Sequence, residues 1–381
     1  MTSQLRTAFL ASLLGLSVSS QAAVAIQART RDEIEAATRL QVFLDRAEFA
    51  PGKIDGHYGE FTLKALALYR EAHGGQAAPL TTPAPAPAAA SAAAPAPEKH
   101  GKKSKPAPKP APEAAPDTTG LDLAGFGPAF LSYTVTEADL KSIGEVPSSL
   151  SVQARKKSLP YKNAAEAIAE KFHLDPVFLA ELNPGKTKSI KAGDTLSVPN
   201  VEPFELPNVK DMQPGNEIPG QAANDFDEEA NAKKAKGSDP SVPPAPPTTA
   251  VKVNVKTNML AVYESEKLIA AFPVTIGSAQ TKSPVGDWKV SSVAKMPTFR
   301  YDKSMLNHGV RSGNFHMLPP GPNNPVGVIW IQLNKKGIGM HGTNDPDHIG
   351  RNASHGCVRL ANWDIVRLAA KVKAGVPVSI H

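Results

Sequence analysis

Residues 354–360 read Ser-His-Gly-Cys-Val-Arg-Leu, and His341-Gly342-Thr343 stands shortly before them. Cys357 is the only cysteine among 381 residues. A lone cysteine in an exported chain has no intramolecular disulfide partner, so it is either an inert buried thiol or a working one. The glycine directly before it lets another molecule approach the sulfur. A thiol with its ordinary pKa of about 8.5 is mostly protonated at neutral pH and needs a neighbour to take its proton. An imidazole suits that task because it titrates near working pH. His341, His348 and His355 are all close enough in sequence to serve. This pattern points to Cys357 as a catalytic nucleophile. The alternatives are a core cysteine and a zinc site, but the His/Cys spacing fits no zinc pattern, so no metal and no cofactor are expected.

The neighbours sharpen the chemistry. His341 follows the alternating stretch Ile338–Met340 and is expected to end a strand pointing inward. His355 shares parity with Cys357, although a tight turn breaks that rule. Spacing favours His341 and leaves the others open. Gly356 permits a sharp turn that exposes the amides of Gly356 and Cys357, which could hold an oxyanion. Gly342 lets its carbonyl approach the imidazole and fix the tautomer. Arg359 either holds a substrate carboxylate or pairs with an internal acid such as Asp364.

Outward from this stretch, residues 250–381 read as a mainly β unit. Val251, Val253 and Val255 alternate with Lys252, Asn254 and Lys256. Leu260–Tyr263, Leu268–Ile276, Val285–Val290 and Val328–Leu333 continue the strand pattern. One helix is expected near the end, with Asn362 as its cap, Asp364 at its N-terminal dipole and Ile365, Leu368 and Ala369 as its face. A sheet sandwich or barrel follows. Trp330 and Trp363 read as core, and His348 as a surface loop residue.

The rest of the chain is organised by composition. Residues 1–25 resemble a secretory signal: Arg6, a short apolar run from Thr7 to Val18, and Ala23-Val24-Ala25 as a cleavage site. No stretch is long enough for a stable membrane span. The protein is therefore expected outside the cytoplasm, in the periplasm or cell envelope, with an uncleaved anchor as the alternative. Residues 77–119, rich in Ala, Pro and Lys, and residues 202–249, mixed in charge and Pro-rich toward the end, cannot bury enough surface to offset ordering entropy, and read as spacers. The net charge of +6 owes much to the lysines between Lys99 and Lys109. They suit either loose attachment to an anionic envelope or simple solvation. No aromatic residues interleave with them, so no nucleic-acid partner is expected.

Two small islands lie between the spacers. Residues 31–74 carry apolar positions at helical spacing on both sides of Ala50-Pro51-Gly52-Lys53-Ile54-Asp55-Gly56-His57-Tyr58-Gly59. Such a helical pair buries little area alone. Residues 161–200 read as helix, helix, Leu182-Asn183-Pro184, then a strand ending Val198-Pro199, with no evident first strand ahead of Tyr161. Residues 121–159 carry no pattern.

Resemblances now attach to these motifs. Residues 31–74 resemble a small helical peptidoglycan-binding-like domain, and residues 161–200 resemble, in part, a LysM module. His-Gly-Thr followed by Ser-His-Gly-Cys-Val-Arg-Leu is similar to the L,D-transpeptidases of the YkuD type. Thr281-Lys282-Ser283-Pro284-Val285-Gly286 and Gly321-Pro322-Asn323-Asn324-Pro325-Val326-Gly327 add to that match; Ser283 stands where Thr is common. The resemblance implies a multidomain protein: a small all-α N-terminal domain, a small α/β LysM-like module and a mainly β catalytic domain. It implies Cys357 as nucleophile, His341 as base and the Gly342 carbonyl as its orienting group. Ser354, His355, Gly356 and Arg359 complete the pocket. The substrate implied is a peptidoglycan tetrapeptide stem, cleaved before its terminal D-alanine through a thioester. The acyl group passes to an amine on another stem or on a wall-attached protein. Glycan strands are the partner of the N-terminal units. A hydrolase of the same bond and a catalytically silent wall-binding scaffold are the alternatives.

Overall fold

The computed structural model describes residues 29–75, 114–210, 247–277, 285–308, 310–335, 337–350 and 356–381. The signal-like residues 1–25, most of both spacers, and Thr281–Pro284, Ser354 and His355 lie outside the described residues.

Helix α1 (Arg31–Arg46) opens on a capping box: the Thr30 hydroxyl accepts from the Glu33 amide, and the Glu33 carboxylate accepts from the Thr30 amide. The turn-rich segment leads to α2 (Glu60–Ala72). Strand β1 (Phe130–Thr134) and short helices α3 (Glu137–Leu140) and α4 (Leu150–Gln153) follow. Next come α5 (Ala164–Lys171), α6 (Pro176–Leu182) and strand β2 (Thr195–Pro199). β1 pairs antiparallel with β2, Phe130 opposite Pro199. The first strand that the sequence did not reveal therefore lies at 130–134, upstream of Tyr161. Its mostly exposed side chains leave no alternation to read. Asn183 ties the turn between α6 and β2, donating to the Leu179 and Ser197 carbonyls and accepting from the Ser197 amide.

The spacer expected from residue 202 is corrected over its first residues. Phe204 and Val209 are buried in the core of the C-terminal unit, and the Phe204 amide donates to the Lys171 carbonyl. The C-terminal unit begins at β3 (Thr249–Asn254), followed by β4 (Met259–Glu264), β5 (Lys267–Pro273) and β6 (Gly286–Lys295). A ladder of β7 (Phe299–Tyr301) and β8 (His316–Leu318) flanks helix α7 (Lys303–His308). Then come β9 (Ile329–Leu333), β10 (Gly339–His341), β11 (Val358–Arg359), helix α8 (Asn362–Lys371) and β12 (Pro377–Ile380). The unit is mainly β, as expected. Eight of its strands form one sheet in the order β11-β10-β9-β6-β12-β3-β4-β5.

Strand parity divides this sheet. Val253, Leu260, Val293, Ile329, Ile331, Met340 and Val358 point to one face, where α8 adds Trp363, Ile365 and Leu368. Ala294, Trp330, His341 and Arg359 are cross-strand neighbours on the other face. α8 is capped by Ala361 rather than by Asn362. The Asn362 side chain is taken instead by the loop before β9, where its oxygen accepts from the Val328 amide.

The small units gain their stability by docking. Leu40, Leu44, Phe49, Ala65 and Leu66 of the helical pair share one apolar cluster with Met259, Ala261, Leu268 and Ala271 of β4 and β5. At the β5 edge the Ala50 amide donates to the Ala271 carbonyl (2.8 Å), and the Ala271 amide to the Glu48 carbonyl (2.9 Å). The Ile54 amide donates to the His173 carbonyl, and the Asp175 amide to the Ile54 carbonyl. At the meeting point of all three units, buried Asp45 of α1 accepts from Arg367 of α8 (2.8 and 3.1 Å) and from His173 Nδ1 (2.9 Å). His173 stacks on Trp363. Burial would raise the Asp45 pKa, but the Arg367 cation and the His173 and Arg367 hydrogen bonds outweigh it and hold the carboxyl below the usual range. Burial pushes His173 down.

Candidate active site

β10 is short, lies in the sheet interior, and ends at His341. Gly342 follows because no side chain fits: an added Cβ would lie 2.2 Å from Asn362 Oδ1. Freed of that bulk, the Gly342 carbonyl turns back and accepts from His341 Nδ1 at 2.6 Å. With the proton held on Nδ1, Nε2 is left as the basic nitrogen. The ring stacks flat on Trp330 of the neighbouring strand, centroids 5.3 Å apart at 14°. Main-chain and aromatic contacts together fix the imidazole.

β11 runs parallel to β10, with Met340 beside Val358 and His341 beside Arg359. Cys357 stands immediately before this pair, two positions from Arg359, and so shares the face of His341 and Arg359. The chain enters through Gly356 at φ +106°, a conformation open to glycine and costly for other residues. The half-buried Cys357 thiol donates to the Gly337 carbonyl at 3.6 Å. Burial pushes the thiol pKa up. Burial, helped by the Arg359 cation, pushes His341 down to about 3. At rest the thiol and the imidazole are therefore both neutral.

Of the two alternatives for Arg359, the pair with Asp364 is not formed. Asp364 belongs to α8 on the opposite side of the sheet, where it approaches Arg367 at 3.8 Å, and its burial pushes its pKa well up. Arg359 stays on the thiol face, and its buried Nε has no hydrogen-bond partner among the described residues. His348 pairs with Asp345 at 2.6 Å on the surface. Among the described residues no group of three or more His, Cys, Asp or Glu is placed to hold a metal ion, and no helix is long and apolar enough to cross a membrane.

Sequence reasoning missed a second feature of this face. Leu159, Phe299, Leu318 and Val326 form an apolar cluster with Ala294 and Trp330, and Cys357 packs against it. Leu159 comes from the stretch that carried no pattern. A separate cavity of about 390 Å³ opens where α5 meets the loop after β10, lined by Glu166, Glu170, Thr343, Asp345 and Trp363. Burial raises Glu170 there to about 7.

A cysteine and a main-chain-oriented histidine on one face of a mainly β sheet define a site suited to nucleophilic thiol chemistry. Residues 248–380 match the L,D-transpeptidase catalytic domain family YkuD. YqjB of Bacillus subtilis, named as an L,D-transpeptidase, is 32% identical over 142 residues, covering 36% of this chain and 73% of that protein. YkuD of Bacillus licheniformis, named likewise, is 32% identical over 131 residues, covering 34% of this chain and 63% of that one. The chain thus spans less than two thirds of the latter relative. A solved structure of L,D-transpeptidase 3 from Mycobacterium tuberculosis with a faropenem-derived adduct overlaps 35% of this chain at 18% identity, with a TM-score of 0.30. The chain belongs to the YkuD family of L,D-transpeptidases.

Proposed function

We propose that the protein is an exported, cysteine-dependent L,D-transpeptidase that acts on peptidoglycan tetrapeptide stems. One observation carries this: His341, its Nδ1 held by the Gly342 carbonyl, shares a sheet face with Cys357 and with Arg359, whose Nε has no hydrogen-bond partner among the described residues. In the proposed reaction Nε2 of His341 takes the thiol proton as Sγ attacks the carbonyl of the L-centred third residue. The oxyanion of the tetrahedral intermediate is held by main-chain amides at Gly356 and Cys357. The intermediate collapses as the imidazolium returns its proton to the leaving nitrogen, which departs as D-alanine. The thioester on Cys357 is then opened by an acceptor amine. His341 takes that amine's proton, the new amide forms, and the thiol is restored. Arg359 is the group suited to a carboxylate on the stem, with Ser354 and His355 completing the pocket.

The N-terminal helical pair and the β1–β2 unit are proposed to hold the wall polymer, the former as a peptidoglycan-binding-like domain and the latter as a LysM-like module. Their docking on the sheet fixes them relative to Cys357. A wall-attached protein is a candidate acceptor beside a second stem.

The test is mass spectrometry of the full chain incubated with tetrapeptide muropeptides. The expected result is an acyl adduct on Cys357 with release of D-alanine, absent in Cys357→Ala. No adduct, or an adduct that survives Cys357→Ala, overturns the assignment. Product analysis with and without an added amine separates transfer from hydrolysis.

A further inference from the structure

We propose that residues 144–160, which include α4, are an autoinhibitory strap seated in the groove over Cys357 that must lift before an extended peptide can enter. The proposal deepens the function given above and rests on it only for the nature of the incoming peptide.

The loop is closed at its base by main-chain bonds. The Gly144 amide donates to the Tyr161 carbonyl (2.8 Å), and the Tyr161 amide donates to the Ser142 carbonyl (3.0 Å). Compact surface loops with pinned ends are frequently functional. Between the pins the segment is held to itself by Lys156 with Glu145 (2.7 Å) and by Gln153 donating to the Pro147 carbonyl (2.6 Å).

Its C-terminal end, next to the Tyr161 pin, is seated on the thiol face. Leu159 is fully buried among Phe299, Leu318, Val326 and Trp330. Val146, Leu150 and Ala154 pack on the same cluster, and so does Cys357. The main chain is engaged as well. The Leu159 amide donates to the Pro320 carbonyl (2.9 Å), and the Leu159 carbonyl accepts from the Asn323 amide (3.1 Å). Asn323 Nδ2 adds a bond to the Pro160 carbonyl (2.7 Å). Gly321 lets the two backbones touch: an added Cβ there would sit 2.2 Å from the Leu159 carbonyl oxygen. One residue gives both its main-chain groups to a receiving loop and its side chain to an apolar seat. That is how an extended peptide is bound by strand addition. A stem laid across this face would need the same carbonyl, the same amide and the same seat, and both occupants cannot be present.

The burial has a chemical consequence. The half-buried thiol and the buried imidazole both stay neutral, with the thiol pushed up and the imidazole down. Lifting the strap admits water to both.

The experiment is alkylation of Cys357 in the full chain by iodoacetamide at neutral pH, read by mass spectrometry. Leu159→Ser removes the seated side chain, and a second variant replaces residues 146–158 with a Gly-Ser segment of equal length. Both are expected to alkylate about tenfold faster or more, since losing a buried leucine shifts the closed–open balance by at least that factor. In the wild type, alkylated Cys357 is expected to speed hydrogen exchange at the Leu159 amide. A folded Leu159→Ser protein alkylating at the wild-type rate overturns the strap, as does an unchanged Leu159 amide after alkylation. Iodoacetamide needs no acyl transfer. Faster alkylation in a protein that never takes up a stem would refute the proposed function and leave the strap standing.

Discussion

Replacing Asp45 by alanine tests whether the three units are one cooperative body. The Asp45 carboxylate is wholly buried and accepts from both guanidinium nitrogens of Arg367 and from His173. Without it, the ion pair left to Arg367 among the described residues is the 3.8 Å approach of Asp364, whose own burial favours its neutral form, with Glu48 acting from further off. Breaking a buried pair from one side leaves an uncompensated charge and costs about 3–5 kcal/mol. For a body of this size each kcal/mol moves Tm by about 2–4 °C, so a fall of roughly 6–20 °C is expected. The assay is calorimetry of the full chain. The single wild-type transition should also split as the small units melt ahead of the sheet. Exchanging both partners for apolar residues, as in Asp45→Leu with Arg367→Met, should recover most of the loss. A fall of less than about 2 °C in Asp45→Ala, with one transition retained, refutes the account of the junction.

Three further outcomes follow from the site. Gly342→Ala forces the added methyl onto Asn362 Oδ1 and turns the carbonyl that holds His341; kcat should drop about 100-fold while the Cys357 adduct still forms slowly. Arg359→Met removes a cation whose Nε is unpartnered among the described residues; stem KM should rise roughly 10–100-fold with far less effect on thiol alkylation. Glu170 is raised by burial to about 7, so the folded state holds an extra proton between the ordinary carboxyl range and that value. Its contribution is present at low pH and is lost as pH rises toward 7. Melts of Glu170→Gln should match wild type near pH 4 and exceed it at pH 8.

The sheet and the contact between His341 and the Gly342 carbonyl were legible. Alternation at Val251, Val253 and Val255 and the run Val328–Leu333 are strands, and the predicted approach of the Gly342 carbonyl to His341 is a 2.6 Å hydrogen bond. What escaped was set by distant partners. Leu159 sits among serines and lysines with no periodicity, and its burial depends on residues more than a hundred positions later. Asn362 has a capping side chain by type, yet the Val328 amide competes for it and wins. Arg359 and Asp364 are near in sequence, but a strand and a helix on opposite sides of the sheet separate them. The Asp45–His173–Arg367 junction joins positions separated by 128 and 322 residues, where no local pattern can announce it.

The main-chain bonds between Glu48–Ala50 and Ala271 have a practical outcome for anyone who cuts the protein down. They close the outermost strand of the eight-stranded sheet. A fragment starting at residue 248 would present that rim unpaired, together with the apolar side chains of Met259, Ala261 and Leu268. Open rims of this kind recruit other chains. Such a fragment is expected to self-associate on size exclusion, and adding back residues 29–75 in trans should return it to a monomer.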